Sequence, residues 1–259
     1  HPFNDLAVAT GQGTIAMEII KELPTVDYIL VPIGGGGLIS GVAFAIKNLN
    51  PNIKVYGVQA SGAPSMRNSI RDGKIECLDH VSTIADGIAV KEPGVHTFEL
   101  CQQYVDEVVQ VSEDEICAAI LALIEHHKLI AEGAGAVSVA AAMFNKADIK
   151  GKNVCCIVSG GNIDVTILSR VINRGLMKGG RTTEMLIEMP DRPGSLLGLC
   201  NVICRYGANI ISIHHERNGE SPDVNSCNLR IVLETRNSDH IRDIHIGIES
   251  AGYAILQEK

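Results

Sequence analysis

"VPIGGGGLISG", Val31 to Gly41, sets four consecutive glycines between an apolar run, Tyr28 to Ile33, and a helical pattern, Leu38 to Leu49. A strand, a glycine turn and a helix start together form an anion site. The first amides of a helix lack internal acceptors, the macrodipole adds partial positive charge, and glycines let the backbone approach a ligand closely. The spacing does not fit a dinucleotide fingerprint: Gly35-x-Gly37 is followed by Ser40, and the next strand ends at Gln59 where an acidic ribose ligand is expected. The P-loop pattern G-x-x-x-x-G-K-[ST] is absent. A phosphate cup for a smaller cofactor and a tight turn that packs helix on strand remain open.

The chain around this turn alternates strand and helix up to about Lys178. Gln12 to Leu23 reads as a helix, Tyr28 to Ile33 as a strand, Leu38 to Leu49 as a helix and Lys54 to Gln59 as a strand, and the alternation continues to a strand at Val154 to Val158. The strand runs are continuously apolar, which predicts a parallel sheet covered on both faces. Ser112-Glu113-Asp114-Glu115 is a capping box opening a helix to about Leu129, and Ala131 to Phe144 is an alanine-rich helix. The strand at Val158 ends in Ser159-Gly160-Gly161-Asn162. In a parallel sheet this turn can open on the same side as the four glycines, where ligands bind. Ser159 then offers a hydroxyl to a ring, or it is a polar strand-end turn.

Arg174 to Arg181, "RGLMKGGR", reads as a linker. After it come a strand (Glu184 to Met189), a helix (Pro193 to Tyr206), a strand (Ala208 to Arg217), a turn ("NGESPDVNS"), a strand (Cys227 to Thr235), a helix (Asp239 to Ala251) and a strand (Tyr253 to Gln257). That β-α-β-β-α-β order is ferredoxin-like. The predicted domains are 1–178 and 182–259.

Composition narrows the function. The 259 residues are 46% apolar, enough for one large or two medium cores, and the net charge of −8 with no basic stripe argues against nucleic acid. No apolar run reaches membrane-helix length, and no signal-peptide pattern is present. The eight cysteines lack metal-type or framework spacing and suit free thiols in a reducing cytosol. His214-His215 invites a metal reading, but adjacent strand residues face opposite sides, so no metal site is expected there.

With VPIGGGGLISG, "TIADGIAV" (83–90), "VSEDEI" (111–116), "AEGAGAV" (131–137) and "VSGGNID" (158–164) in this order, the chain resembles the pyridoxal-phosphate-dependent threonine/serine ammonia-lyases of the tryptophan-synthase-β fold type. The C-terminal "EMPDRPGSL…GANIISI…GY" resembles an ACT domain, a small amino-acid sensor. The resemblance implies an α/β, parallel-sheet catalytic domain of the pyridoxal-phosphate fold type II class, incomplete here, followed by an α+β ACT domain. It implies deamination of threonine to 2-oxobutanoate and of serine to pyruvate, in a cytoplasmic homo-oligomer regulated by an amino-acid effector such as isoleucine. A serine dehydratase or racemase, or a non-catalytic amino-acid-sensing module, stands as the alternative.

Carried over residue by residue, Gly34, Gly35, Gly36, Gly37 and Leu38 match the phosphate cup of pyridoxal 5'-phosphate. Ser159 matches the residue facing the pyridine nitrogen. A neutral hydroxyl there makes a shallower electron sink than a carboxylate, which favours prompt loss of a β-hydroxyl. Gly87 matches a backbone segment beside the ring. Glu132 lies near the cofactor, or is a helix-start carboxylate favoured by the dipole. Asp191, Gly194 and Asn209 match effector positions at an ACT dimer interface; a degenerate domain serving only dimerisation is the other reading. The segment Gln59 to Ser65, which carries metal-binding carboxylates in some relatives, has none here, so no tight divalent site is expected and a weak monovalent ion on backbone carbonyls stays open. The family anchors its cofactor on a lysine in a Ser-x-Lys-x-Arg segment, and none of the eleven lysines has that context. The chain, which starts His1-Pro2-Phe3, therefore reads as the later two-thirds of the enzyme, with its Schiff-base lysine elsewhere and no catalysis of its own.

Overall fold

A computed structural model describes residues 1–216 and 225–258, and the chain divides into two compact units, His1–Gly175 and Leu176–Lys259. None of the described helices is long and apolar enough to cross a membrane.

In the first unit, β1 (Tyr28–Pro32), β2 (Lys54–Ala60), β3 (Glu107–Val111) and β4 (Val154–Cys156) form one parallel sheet in the order β3-β2-β1-β4. Helices α1 (Leu6–Glu22), α2 (Gly37–Leu49), α3 (Ser65–Asp72), α4 (Val95–Tyr104), α5 (Glu113–Ala122) and α6 (Gly133–Met143) cover it. Successive residues of β1 point to opposite faces. Ile29 and Val31 enter a core with Ile39, Ile46 and Phe98, whereas Leu30 enters another with Ile116, Ile120 and Val137. Both faces are thus apolar, which is why the strands read as unbroken hydrophobic runs. The chain leaves β1 toward β2 and β3, then returns to place β4 on the other flank of β1. The strand order reverses at that point, and a crevice opens there beyond the carboxyl ends of the strands.

Local signals explain most boundaries. Ser112 accepts from the Glu115 amide at 3.3 Å and the Glu115 carboxylate accepts from the Ser112 amide at 2.8 Å, the reciprocal cap expected of this motif. Beyond α5 the helix widens into a π turn, Leu123–His127, which ends at Lys128 in the left-handed region. At the far edge, Asp106 accepts from Lys47 at 2.6 Å, Lys54 at 2.9 Å and the Val55 amide at 2.8 Å. Partial burial opposes its charge, but these donors outweigh burial and hold its carboxyl below the usual range.

Several readings of the sequence need correction. The first helix starts at Leu6, not Gln12, because Asp5 caps it by accepting from the Ala7 amide at 2.8 Å. The stretch from Arg174 is no linker as far as Lys178: α7 (Val165–Lys178) runs through it. Gly175 serves close packing there, since a Cβ would lie 2.9 Å from the Cys117 carbonyl oxygen.

The second unit carries β5 (Thr182–Pro190), α8 (Ser195–Arg205), β6 (Asn209–Glu216), β7 (Ser226–Glu234), α9 (Ser238–Ser250) and β8 (Ala254–Glu258). The sheet is antiparallel in the order β6-β7-β5-β8, the ferredoxin-like arrangement. Its core joins Met185, Ile187, Leu229 and Ile231 from the strands to Leu199, Ile203, Ile244 and Ile248 from the helices. Pro193 precedes the helix rather than entering its first turn; Gly194, at φ 91°, is the N-cap. Most of the predicted "NGESPDVNS" turn, residues 218–224, lies outside the described residues.

Helices α1 and α2 meet through glycines. A Cβ on Gly41 would stand 1.9 Å from the Ala9 carbonyl oxygen, and one on Gly13 would stand 3.1 Å from the Gly41 oxygen. Gly41→Ala must push the helices apart, and we expect it to destabilise the chain by about 1–3 kcal/mol. A lowered midpoint of urea unfolding, followed by circular dichroism, is the readout. An unchanged midpoint would show that the contact is not needed.

Candidate functional site

The turn from β1 into α2 is built by constraints from distant residues. Gly36 caps α2 at φ 97°, a left-handed conformation that suits glycine. A Cβ on it would come within 2.7 Å of Met66 Cε and 2.8 Å of Thr97 Cβ. The buried Thr97 hydroxyl donates to the Gly35 carbonyl at 2.6 Å, with the Gly94 carbonyl 3.1 Å away. Phe3 lies on the other side, where a Cβ on Gly35 would overlap its ring at 2.1 Å. The first bond inside α2 runs from the Ser40 amide to the Gly36 carbonyl, which leaves the amides of Gly37, Leu38 and Ile39 without an intrahelical acceptor.

The turn after β4 is fixed by equally close contacts. The Glu132 amide donates to the Gly160 carbonyl at 3.1 Å, and the Ser138 hydroxyl donates to the Ile157 carbonyl at 2.9 Å. A Cβ on Gly135 would lie 2.5 Å from the Gly160 oxygen, and one on Gly161 would lie 2.5 Å from the Ile130 oxygen. Glu132 is the N-cap of α6 but makes no side-chain cap bond. Its carboxylate lies beside Gly87, with Oε1 3.7 Å from where a Cβ would be.

A cavity of about 300 Å³ opens between these turns, lined by Gly34, Gly35, Gly36, Gly37, Leu38, Gly87, Glu132 and Ser159. The structure therefore gathers in one place all eight residues expected to meet a cofactor. Pro2, Phe3, Val8, Gln12, Ile88 and Val90 also line it, and sequence reasoning missed them. The motif order could have flagged Pro2 and Phe3 only through their place just ahead of α1. Among the described residues, no lysine lines the cavity and Glu132 is the sole acidic residue that does. Free amides, side-chain-free glycines and one exposed hydroxyl suit a phosphate-bearing ring. Gln59, at the start of the segment considered for a cation, is fully buried and structural: it accepts from the Arg67 amide at 2.8 Å and donates to the Ala63 carbonyl at 3.2 Å.

The three expected effector residues are not together in one chain. Asp191 and Gly194 line a cavity of about 510 Å³ at the start of α8. Among the described residues, nothing lies within 4 Å of a Cβ built on Gly194. Asn209 pairs with Glu234 at the opposite end of the sheet and donates to its carboxylate at 3.2 Å. Eight residues of β7 separate the two ends, roughly 25 Å at strand rise. Asn209 therefore does not stand alongside Asp191 within one copy.

The fold and this mouth define an α/β unit with a glycine-lined cavity at a strand switch point. A family model described as "Pyridoxal-phosphate dependent enzyme" matches residues 1–160, and the chain belongs to that family. It is 49% identical over 255 residues to L-threonine ammonia-lyase of Thermotoga maritima, a match covering 98% of this chain and 63% of that protein. The chain thus spans less than two-thirds of that relative's length. Among solved structures, the processed form of threonine deaminase isoform 2 from Solanum lycopersicum superposes with a TM-score of 0.64 at 40% identity, covering 67% of this chain and 51% of that one. Maize serine racemase gives 0.62 at 36% identity, covering 67% and 56%.

Thr97 holds the glycine turn from 62 residues away. Thr97→Val keeps the shape and removes the shorter of the two bonds to the Gly35 carbonyl, which then keeps only the Gly94 amide at 3.3 Å. We expect a loss of about 1–2 kcal/mol in urea unfolding, with Thr97→Ser restoring most of it. A valine variant as stable as the parent would mean that the turn holds itself.

Proposed function

We propose that this chain forms the cofactor-holding part of a threonine ammonia-lyase, which converts L-threonine to 2-oxobutanoate and ammonia and L-serine to pyruvate and ammonia. The observation that carries this reading is the single cavity shared by the glycine turn, Gly87, Glu132 and Ser159. Its support is the likeness to the Thermotoga enzyme across almost the whole chain.

Pyridoxal phosphate, when bound, supplies an electron sink for bonds at the substrate α-carbon. The chain's own residues bind and orient. The amides at the start of α2 would hold the phosphate, reinforced by the helix dipole. The Ser159 hydroxyl would serve the ring nitrogen as a neutral partner, positioning the ring without fixing a proton on it. Gly87 would keep the space beside the ring clear of a side chain. Glu132 sets a carboxylate at the same mouth, a charge that can attract an ammonium group. Since no lysine among the described residues lines the cavity and none of the chain's lysines has the family's Ser-x-Lys-x-Arg context, we assign the anchoring lysine to a segment outside residues 1–259. None of the eight cysteines is in a disulfide among the described residues, which suits a cytosolic setting.

We read the second unit as an ACT-type regulatory domain in a homo-oligomer. A free amino acid such as isoleucine would place its carboxylate at the α8 amides, near Gly194, with Asp191 for its ammonium. Asn209 would have to come from a second copy, because it lies at the far end of its own sheet.

Two measurements test these readings. The 259-residue chain, mixed with pyridoxal phosphate and reduced with borohydride, should carry no modified lysine by peptide mass mapping, while the complete gene product should form 2-oxobutanoate from L-threonine. Stoichiometric reduction onto a lysine of this chain would overturn the lysine assignment. Formation of D-serine from L-serine without ammonia release would favour the racemase reading. For the regulatory unit, calorimetric titration of the chain with isoleucine, valine, threonine and serine should show saturable binding of at least one, weakened by Asp191→Ala by roughly tenfold or more, the effect of losing a charged hydrogen bond. Absence of heat with all four at millimolar concentration would leave the unit a dimerisation surface.

A further inference from the structure

Three potential metal donors converge in the second unit, at the end of the sheet next to the α8 start. The ligand atoms of Asp191, His215 and Cys227 all lie within 4.8 Å of one another, and His215 Nε2 is 2.9 Å from Cys227 Sγ. We propose that they form a binding site for a borderline-soft divalent cation of the zinc class.

The backbone explains the convergence. On the central strand β7, Cys227 belongs to the buried series with Leu229, Ile231 and Leu233. His215 on β6 is paired with Leu229, so it is the diagonal neighbour of Cys227 on the same face. On the opposite flank Met189 of β5 is paired with Cys227, and Asp191 follows two residues later, its amide donating to the Asn225 carbonyl at 2.8 Å. The face occupied by His215 depends on a register shift between Ile210 and Ser212. That bulge inserts Ile211 and reverses the alternation of the strand. His215, not His214, thereby joins the core-side series at a place where the helices no longer cover it. Opposite orientation of adjacent strand residues excludes a site using both histidines, but not a site using one.

Donor chemistry and distances agree with this ion. Thiolate, imidazole and carboxylate are the zinc ligand types, with bonds of about 2.0–2.3 Å, and a tetrahedron of such bonds has edges of about 3.3–3.7 Å. The observed spread brackets those edges, so small side-chain adjustments complete the set. The adjoining cavity, also lined by Arg192 and Gly194, leaves room for water at a fourth position. Arg192 and the positive end of α8 oppose a cation. The charges of thiolate and carboxylate balance those of the divalent ion. Binding replaces the thiol proton with metal: neutral Cys227 and His215 with ionised Asp191 take up Zn(II) and release one proton.

The test uses the full chain, freed of metal by chelator and titrated with Zn(II) by calorimetry in buffers of different ionisation enthalpy. We expect one equivalent bound at low micromolar concentration with release of about one proton. Co(II) in its place should give a thiolate charge-transfer band and the visible bands of tetrahedral coordination. His215→Ala, at an exposed position, and Cys227→Ser should each weaken binding by at least about tenfold while circular dichroism stays unchanged, as expected for loss of one of three protein ligands. The metal and effector readings share only Asp191. His215→Ala therefore separates them, because it removes a metal ligand and leaves the proposed partners of an amino acid in place. No uptake of Zn(II), or uptake unchanged in both variants, would overturn the site and leave a hydrogen-bonded cluster.

Discussion

The first unit depends on how the chain leaves β1. Four glycines turn it from the middle of a doubly covered sheet into α2, and the turn leaves no room for side chains: Met66 and Thr97 occupy one side, Phe3 the other. Backbone polar groups in such a place need partners. The Gly35 carbonyl accepts from the Thr97 hydroxyl and the Gly94 amide, whereas the first amides of α2 have no acceptor inside the helix. The result is a mouth lined with donors and almost no side chains of its own. Ser159 and Glu132 reach it from the turn after β4 and the start of α6. The Glu132–Gly160 backbone bond locks those two segments together. Because β4 is the neighbour of β1, both deliveries meet at one point.

Elements whose signals are local were legible in the sequence. The apolar runs of β1 and β2 follow from burial on both faces, and the Ser112–Glu115 box follows from the unmet amides of a helix start. The gathering of Gly87, Glu132 and Ser159 beside the glycines was different. No spacing rule links positions so far apart, and only likeness to a family placed them together. Phe3 and Gln12 escaped because their roles depend on the first segment folding across a turn some thirty residues later. Thr97 escaped for the same reason, since a buried threonine in a helix looks like any other. The misread linker shows the reverse error. Glycine in "RGLMKGGR" suggested freedom, but Gly175 is small so that α7 can approach Cys117.

In the second unit, alternation along a strand was the right principle applied without its exception. Adjacent residues do face opposite sides, so His214 and His215 cannot bind one ion together. A single inserted residue, Ile211, decides which of them joins the core side, and bulges have no dependable sequence signature. The same register separates Asn209 from Asp191. A motif carried over from a family brings its residues without saying which copy of the chain supplies each.

Charge at the ends of the sheets separates the two mouths. In the first unit, helix amides and the dipole of α2 meet one carboxylate among the described residues, Glu132, which is the balance that the proposed reading calls on: an anion at the glycine turn and a cationic group near the carboxylate. In the second, α8 offers the same kind of amides, but Gly194 caps it with no side chain and a thiol, an imidazole and a carboxylate stand beside it. There the donor set outnumbers the positive end of the helix and selects a cation once the thiol gives up its proton. A helix start alone therefore does not determine what binds beside it. The side chains that the neighbouring strands bring to its edge decide the sign, and those are set by strand order in one unit and by a one-residue bulge in the other.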